Sequence, residues 1–283
     1  MRRLTYENSR GESIVFYQSP FLIESLTGIS EVDADLQSQR APYQDGDIHL
    51  DTILQPRFPT LEGAINATDL NTIKQYRKHI SKVCNPKLGL GKLTLEMDGD
   101  IKEIFAALDG VPVFPERGNS PYQKFMVVWK CPNPYWRSPE QTTEPLAAFV
   151  PLRTYPTVYP VIYGRRGSEA ILYNDGDVPC PVQIELTGPA LSPVVTNQTT
   201  GEFIRITREL YEGDKLIINT APGQEQMVAI ERQDGTLENA WHYIDIWEST
   251  LFSLDVGENV LDYDALTGQG LVTISFNKLF VGV

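Results

Sequence analysis

The chain has 283 residues and a mass of 31.8 kDa, which allows two domains with hydrophobic cores of ordinary size. Its mean hydropathy of −0.24 and the lack of any apolar run of about 18 residues exclude a membrane-spanning helix, and we expect no secretory signal peptide. A net charge of −13 with a pI of about 4.7 argues against sequence-specific nucleic-acid binding, because lysine and arginine supply most of the affinity for phosphate.

The first predicted elements are two short strands at residues 13–17 and 21–26, separated by Pro20. Residues 30–47 follow, and they are polar and rich in turn-forming residues, which indicates a long loop or an exposed hairpin. Such an extension buries little of its own surface. We therefore expect it either to remain mobile or to become ordered against a neighbouring subunit.

One segment of the first half is predicted to be helical. Asn66 or Thr68 can cap its N-terminus, Asp69 lies favourably at the positive end of the helix dipole, and the helix must end before Pro86. Its apolar side chains fall on one face, which predicts packing against a sheet. These side chains are Leu70, Ile73, Ile80 and Val83.

The sheet beneath this helix is predicted from three strands. Residues 92–97 and 102–108 are joined through Asp98 and Gly99, a strong hairpin signal, and residues 122–130 form a long central strand. Together with the helix, these strands predict an α+β domain that spans residues 1–137.

The second half of the chain has a different pattern. Seven prolines mark the middle of the chain, and because proline stiffens the backbone and lacks an N–H group, residues 138–160 are predicted to be a linker with edge-strand character. In residues 161–283, strand-length apolar runs alternate with turn sequences at nearly even spacing, which predicts an all-β sandwich. Its final long strand places Val272, Ile274 and Phe276 on one face. The predicted fold class is therefore mainly β.

The sequence contains no set of side chains that is typical of catalysis or metal binding. Cys84, Cys131 and Cys180 are widely spaced, as expected of free thiols in a reducing cytoplasm, and the three histidines share no ligand spacing. Residues 262–268 begin like a calcium loop but lack its later ligands. A glycosidase needs two facing carboxylates, and nothing singles out a pair among the 37 acidic residues. We predict that the protein is not an enzyme and needs no metal or cofactor.

An aromatic strip near the end of the chain leaves two interpretations open. Trp241, Tyr243, Asp245 and Trp247 occupy alternate positions, so the pattern predicts that they share one face of a strand. A buried or subunit-covered strip would belong to the sandwich core or to an interface. An exposed strip beside a carboxylate would stack a sugar ring and accept hydrogen bonds from its hydroxyl groups.

The order of the turns and of several short motifs resembles the distal tail protein family of long-tailed, non-contractile bacteriophages and their prophages. In the second half, the motifs are Asn174-Asp175-Gly176-Asp177-Val178-Pro179, Gly188-Pro189-Ala190, Asn197 with Thr200-Gly201-Glu202, Gly213-Asp214 and Leu254-Asp255-Val256-Gly257-Glu258-Asn259. In the first half, they are Tyr43-Gln44-Asp45-Gly46, Arg57, the helix from about Asp69 and Asn133-Pro134-Tyr135-Trp136. The resemblance covers most of the chain and depends on the joint order of these motifs.

The resemblance implies a structural role at the tip of a virion tail. It implies an N-terminal α+β domain that forms a ring, a galectin-like C-terminal β-sandwich, and a homo-oligomer, namely a hexamer. The expected partners are the tail tube protein, a tail-tip hub protein and a receptor-binding protein, and synthesis is expected in the cytoplasm of the bacterial host. An acidic protein would suit a channel through which DNA slides without being retained.

In the resembled family, an extended hairpin of the N-terminal domain helps to hold the ring together, and residues 30–47 are its candidates here. The exposed hairpin and edge strands of residues 30–60 are the expected donors of the ring contact. The interface residues expected on this basis are Glu31, Asp33, Tyr43, Asp45 and Arg57. The alternative function is a carbohydrate-binding β-sandwich module for host recognition. It would use Trp241, Tyr243, Asp245 and Trp247 as its contact residues.

Overall fold

The chain divides into one unit formed by Met1–Pro139 with Phe280–Val283 and a second unit formed by Glu140–Leu279. The computed structural model describes residues 2–116, 122–146, 149–150, 165–166, 169–223, 226–268 and 270–283. The division differs from the expected boundaries, because the last four residues belong to the first unit. Part of the expected linker joins the second unit, where a short strand extends its sheet, and the remainder lies largely outside the described residues.

The first unit is an antiparallel sheet with one α-helix among its described residues. Its elements are β1 (Arg2–Glu7), β2 (Ser13–Phe16), β3 (Phe21–Thr27), β4 (Ala34–Gln39), β5 (Ile48–Leu54), β6 (Thr60–Asn66), α1 (Leu70–Val83), β7 (Gly91–Met97), β8 (Asp100–Leu108), β9 (Tyr122–Lys130) and β10 (Trp136–Arg137), with a 3₁₀ turn at Pro86–Leu88. The main sheet has the strand order β2-β1-β7-β8-β9-β6-β3, and β4 and β5 form a separate two-stranded ribbon.

The core of the first unit follows from the alternation of its strands. On β9, Phe125, Val127 and Trp129 point inward and are almost completely buried. The Trp129 ring lies 5.8 Å from the ring of Tyr6 and 6.3 Å from that of Phe16, so neighbouring aromatic rings fill the interior. The predicted strands around Asp98-Gly99 and the long central strand are confirmed as β7, β8 and β9.

Helix α1 covers this core, but its cap differs from the expected one. Asp69 itself is the N-cap, since its Oδ1 accepts hydrogen bonds from the amides of Asn71 at 2.8 Å and Thr72 at 2.9 Å. Neither Asn66 nor Thr68 has this role. The prediction that the apolar face of the helix is packed against the sheet is confirmed for Ile73, Ile80 and Val83, which are buried. Leu70 is 41% exposed, because it begins the first turn, beyond the edge of the core.

The second unit is a two-sheet sandwich. Its strands are β11 (Thr142–Pro145), β12 (Phe149–Val150), β13 (Arg165–Arg166), β14 (Glu169–Asn174), β15 (Cys180–Thr187), β16 (Ala190–Leu191), β17 (Val194–Asn197), β18 (Glu202–Arg205), β19 (Glu209–Leu210), β20 (Lys215–Asn219), β21 (Met227–Glu231), β22 (Leu237–Asn239), β23 (Ser253–Leu254), β24 (Gly257–Asp264), β25 (Thr267–Gly268), β26 (Leu271–Phe276) and β27 (Leu279–Phe280), the last of which crosses into the first unit. One sheet runs β11-β26-β15-β20-β21-β22 and the other β14-β24-β17-β18.

The two sheets of the second unit share one hydrophobic core. Ile184 and Ile274 from the first sheet meet Leu172, Val195 and Leu261 from the second within a single buried cluster. The mainly β prediction, with an α+β first domain and a β-sandwich after it, is confirmed.

Two of the turn motifs seen in the sequence are held by buried asparagines. Asn174 donates to the carbonyl oxygens of Val178 at 3.1 Å and Leu254 at 3.2 Å, and it accepts from the Gly176 amide. Asn259 accepts from the Asp255 amide at 2.9 Å and donates to its carbonyl oxygen at 2.8 Å. The two asparagine side chains supply hydrogen-bond partners that the backbone of a tight turn cannot supply, so they fix the turns between strands.

Replacing Asn259 by alanine tests this role. Asn259 is completely buried, so the variant leaves the Asp255 amide and carbonyl without their partner. We expect the free energy of unfolding of the second unit to fall by roughly 1–3 kcal/mol. Urea denaturation followed by far-UV circular dichroism measures the change, with the exposed neighbour Glu258→Ala as the control. Equal stability of the two variants would contradict the role assigned to Asn259.

Candidate functional site

The most exposed element of the first unit is the ribbon of β4 and β5. Its register pairs Ala34 with Leu54 and Gln39 with Ile48, with a bulge between Gln37 and Ser38. The ribbon is the hairpin expected from the polar, turn-rich segment. It extends further along the chain than residues 30–47, because its second strand ends at Leu54.

The connection between the two strands is built from local hydrogen bonds. The Arg40 Nε donates to the Gln44 carbonyl oxygen at 2.9 Å, and the Gln44 side chain accepts from the Ala41 amide at 3.2 Å. Tyr43 and Gly46 both have positive φ, at 64° and 76°. Glycine adopts this conformation readily, whereas tyrosine rarely does, so the tip is a defined turn that projects Tyr43 into solvent.

The ribbon is exposed on both of its faces. Every residue of β4 is exposed, and so is every residue of β5 except Leu54. Four exposed positions carry large apolar side chains, with exposed fractions from 45% to 68%: Leu36, Ile48, Leu50 and Ile53. An isolated two-stranded ribbon is at best marginally stable in water, and its outer edges present unpaired backbone groups. These features make the ribbon a candidate interaction surface of the first unit.

The base of the ribbon is fixed by the side chain of Arg57. The Arg57 side chain is only 1% exposed, and its guanidinium donates to four main-chain carbonyl oxygens. Those of Ile29 and Glu31 precede the ribbon, and the distance to Glu31 is 3.1 Å. The other acceptors are Pro134, at 3.0 Å, and Val281, at 2.6 Å. Arg57 therefore ties both ends of the ribbon to two other segments of the first unit.

Two neighbouring residues complete this anchor. The indole Nε1 of buried Trp136 donates to the same Ile29 carbonyl oxygen at 3.0 Å. Gly28 has a φ of 69°, and a Cβ there would overlap the Phe58 carbonyl oxygen, so only glycine allows the two ends of the ribbon to approach.

The positive charge of Arg57 is stabilised by the dipoles of the four carbonyl groups that accept its hydrogen bonds. Burial lowers the pKa of the guanidinium below its usual range, and the nearby Cys131 opposes this shift. Arginine nevertheless stays protonated in proteins, so all four acceptors retain a charged donor. Each hydrogen bond to a charged group is stronger than a neutral one, which makes the anchor rigid.

The structure separates the five interface residues expected from the sequence into two groups. Glu31, Asp33, Tyr43 and Asp45 are exposed on the ribbon or directly before it. Arg57 is buried, and its side chain is not available to a second chain; it positions the ribbon instead. The sequence reasoning missed the exposed apolar positions of the ribbon, although the apolar residues of Ile48–Leu54 within a polar segment could have revealed them.

The predicted aromatic strip does not lie on a strand. Trp241–Tyr243 is a 3₁₀ turn and residues 246–248 form a further turn, so the alternating pattern is not presented on one face. The Asn239 side chain accepts from the Trp241 amide at 3.1 Å and starts the first turn, and the Asp245 carbonyl oxygen accepts from the Ser249 amide at 2.8 Å and closes the second.

The four residues of the expected strip have different environments. Trp241 and Tyr243 are half-buried against the sandwich core, and the Tyr243 hydroxyl donates to Glu238 at 3.1 Å. Asp245 is partly buried and lies 3.5 Å from the Arg205 guanidinium. Trp247 is 96% exposed.

The cysteines and the potential metal ligands can be located in the described part of the chain. Burial raises the pKa of the thiols of Cys84, Cys131 and Cys180 to about 12, so they remain protonated at neutral pH. Across the described ranges, no three His, Cys, Asp or Glu side chains lie together as metal ligands would. No helix among these residues has the length and hydrophobicity needed to cross a bilayer.

Comparisons with known proteins match both units. Residues 9–131 match the phage tail protein RIFT-related domain, and residues 175–280 match the siphovirus-type tail component, C-terminal domain. The fold is similar to that of the Dit protein (gp 19.1) of phage SPP1, described as a paradigm of the hub adsorption apparatus in phages that infect Gram-positive bacteria, with 12% identity, 99% of both chains covered and a TM-score of 0.67.

A second solved structure has the same fold. It is a chain of the phage P2 baseplate in its activated conformation with Ca, with 11% identity, 100% of both chains covered and a TM-score of 0.62. No curated protein sequence matches the chain significantly.

The two matched domains, in this order on a mainly β chain, define a tail component of siphovirus type. The chain belongs to the distal tail protein family of siphoviruses. Members of this family are structural proteins of the virion tail, and the role of this chain is a structural one at the tail tip.

Replacing Arg57 by methionine tests the anchor. The variant leaves four carbonyl oxygens without their donor, and we expect the free energy of unfolding of the first unit to fall by about 3 kcal/mol. Arg57→Lys should recover only part of the loss, because a single ammonium group cannot span acceptors arranged around a planar guanidinium. Urea denaturation followed by tryptophan fluorescence measures both variants, since Trp136 lies beside the anchor.

The exposed Arg10→Met is the matched control for loss of a positive charge. An Arg57→Met variant as stable as this control would show that the four hydrogen bonds do not hold the ribbon.

Proposed function

We propose that the chain closes into a hexameric ring at the tail tip, which joins the tail tube to the host-adsorption apparatus and leaves a channel for DNA. The observation that carries this proposal is the ribbon of β4 and β5, which is exposed on both faces and yet fixed at its base by Arg57. The family membership of the chain supports a role in a tail assembly.

The ribbon is suited to joining identical subunits. Its four exposed apolar side chains would be costly in a free monomer, and covering them on a neighbouring copy removes them from water. A ribbon that docks on a different surface of the next copy makes a heterologous contact, and such contacts generate a closed ring when the rotation closes. The rigid base supplied by Arg57 would keep the angle between successive copies constant.

The overall charge suits a ring around a DNA channel. With 37 acidic and 24 basic residues, the chain lacks the positive excess that retains nucleic acid by releasing counterions. A channel wall of this composition would let a polyanion pass without binding it. In this proposal, the ring contacts the tail tube protein and a tail-tip hub protein, and a receptor-binding protein attaches to the same assembly.

Shortening the ribbon tests the ring. Residues 34–54 can be replaced by an Asn-Gly turn, because the Gln55 amide lies 2.8 Å from the Asp33 carbonyl oxygen and the two ends already meet. We expect the wild-type chain to form particles of about 190 kDa, six copies of 31.8 kDa, with a central hole. The shortened chain should keep its circular dichroism spectrum and remain a monomer.

Mass photometry and negative-stain images of both chains measure the outcome. A full-length quadruple variant with Leu36, Ile48, Leu50 and Ile53 changed to serine should also be monomeric, whereas serine at the exposed Leu237 and Leu266 of the second unit should leave the rings intact. Rings formed by the shortened chain would contradict the assignment of the ribbon as the ring contact.

A second candidate function is glycan binding by the second unit, and the observation that favours it is Trp247. This side chain is 96% exposed on a turn, beside Asp245 and Glu248, whose carboxylates lie 3.5 Å and 2.8 Å from Arg205. An exposed indole next to hydrogen-bonding carboxylates can stack on a sugar ring. Only Trp247 among the four residues of the expected strip is fully available for this.

Binding to a glycan array separates this function from the structural one. If the second unit recognises sugar, the wild-type chain binds defined cell-wall glycans, and Trp247→Ala reduces binding at least about tenfold, a loss of about 1.4 kcal/mol. The exposed Tyr173→Ala, also on the second unit, serves as the control. No binding by the wild-type chain would contradict this second function.

A further inference from the structure

Helix α1 carries a row of positive charge on its solvent side. Lys74, Lys78 and Lys82 follow one another at intervals of four residues, so they line one face of the helix, and Arg77 lies beside them. The helix is described throughout, and it contains no aspartate or glutamate between Leu70 and Val83. In a chain with a net charge of −13, this row is a marked local exception.

Lys82 is the one member of this row that forms an ion pair with an acidic side chain among the residues that the structure describes. Lys82 pairs with Glu12, and the Arg77 guanidinium lies 4.8 Å from the centre of the Phe114 ring. Lys74 and Lys78 are exposed and form no ion pair with any residue that the structure describes. Like charges four residues apart destabilise a helix, so a row of this kind gains from an acidic partner.

The segment that contains the ribbon of β4 and β5 carries the opposite charge. Residues 30–55 contain six acidic residues and one arginine. Asp35 pairs with Ile53 in the ribbon register and Gln37 pairs with Asp51, so these four side chains share one face. That face therefore combines two carboxylates with an exposed apolar side chain.

The spacings of the two surfaces agree. Asp35 and Asp51 are diagonal neighbours across the ribbon, which places their Cβ atoms roughly 7 Å apart. Lys74 and Lys78 are one helical turn apart, roughly 6 Å. The seven residues of β5 and the fourteen residues of α1 both extend about 20 Å, so the ribbon can lie along the helix over its whole length.

We propose that the acidic face of the ribbon lies along α1 of a neighbouring copy, with Asp35 and Asp51 facing Lys74 and Lys78. The proposal rests on the proposed ring and names the surface that receives the ribbon. The ribbon does not lie on the helix of its own subunit, because all its residues except Leu54 are exposed. Two different surfaces meet, which is the heterologous contact that a ring requires.

Paired charge reversal tests this contact in the full-length chain. Asp35→Lys/Asp51→Lys and Lys74→Glu/Lys78→Glu each place like charges across the interface, and each should raise the dissociation constant of the ring at least about tenfold. Combining the four substitutions restores opposite charges and should return the constant to within about threefold of the wild-type value. The wild-type constant should rise with salt concentration, because the contact is screened.

Sedimentation velocity over a concentration series measures these constants, and circular dichroism verifies that each variant is folded. The matched control is Asp109→Lys/Glu258→Lys, which reverses two exposed carboxylates outside both surfaces and should leave the rings unchanged. A wild-type chain that is monomeric at every concentration would contradict the ring itself. Wild-type rings that withstand both double reversals, or reversals that are not rescued in combination, would contradict only the helix contact.

The last measurement is the binding of the wild-type chain and its variants to duplex DNA. If the wild-type chain binds DNA at physiological salt and Lys74→Glu/Lys78→Glu removes that binding without weakening the rings, the row of lysines serves nucleic acid and the proposal is overturned. No DNA binding by any variant, together with rescued ring formation, is the expected result.

Discussion

The first unit depends on a buried cation that has main-chain partners only. A guanidinium taken out of water loses several kcal/mol of hydration, and the loss is tolerable only where hydrogen-bond acceptors replace the water. Arg57 meets this condition with four carbonyl oxygens from three segments that are far apart in sequence, around residues 29–31, Pro134 and Val281. These segments must converge for the charge to be buried, so the ends of the ribbon cannot shift without exposing an unsatisfied group.

This constraint gives the subunit a rigid base and an incomplete extension. The main sheet and α1 bury a continuous aromatic core around Trp129. The ribbon, in contrast, exposes apolar side chains and unpaired backbone groups on both of its strands. In the ring that we propose, a neighbouring copy covers this surface, and the fixed base gives that contact a direction. In the same proposal, the acidic ribbon and the basic face of α1 are the two different surfaces on one chain that a closed ring of identical subunits needs.

Much of the fold could be predicted because its signals are local. The alternation in β9 and β26, the Asp98-Gly99 hairpin and the periodicity of α1 each lie within a few neighbouring residues, and all are present in the structure. The prediction of a strand from Trp241 to Trp247 was wrong because it, too, used only a local pattern. The alternation of this segment is that of a strand, but the Asn239 side chain and the Asp245 carbonyl oxygen accept hydrogen bonds from the amides of Trp241 and Ser249, and these bonds turn the chain in place of a sheet ladder.

The sequence by itself determined the mainly β class, the two-part organisation and the presence of a polar extension after the second predicted strand, because composition and periodicity record which residues face water. Only the tertiary structure decided what Arg57 does. Its acceptors are backbone carbonyl groups, which every residue carries, so no side-chain pattern marks them. The proposed contact between the ribbon and α1 also needed the tertiary structure, since strand register and helical phase must be known before charges far apart in sequence can be compared as surfaces.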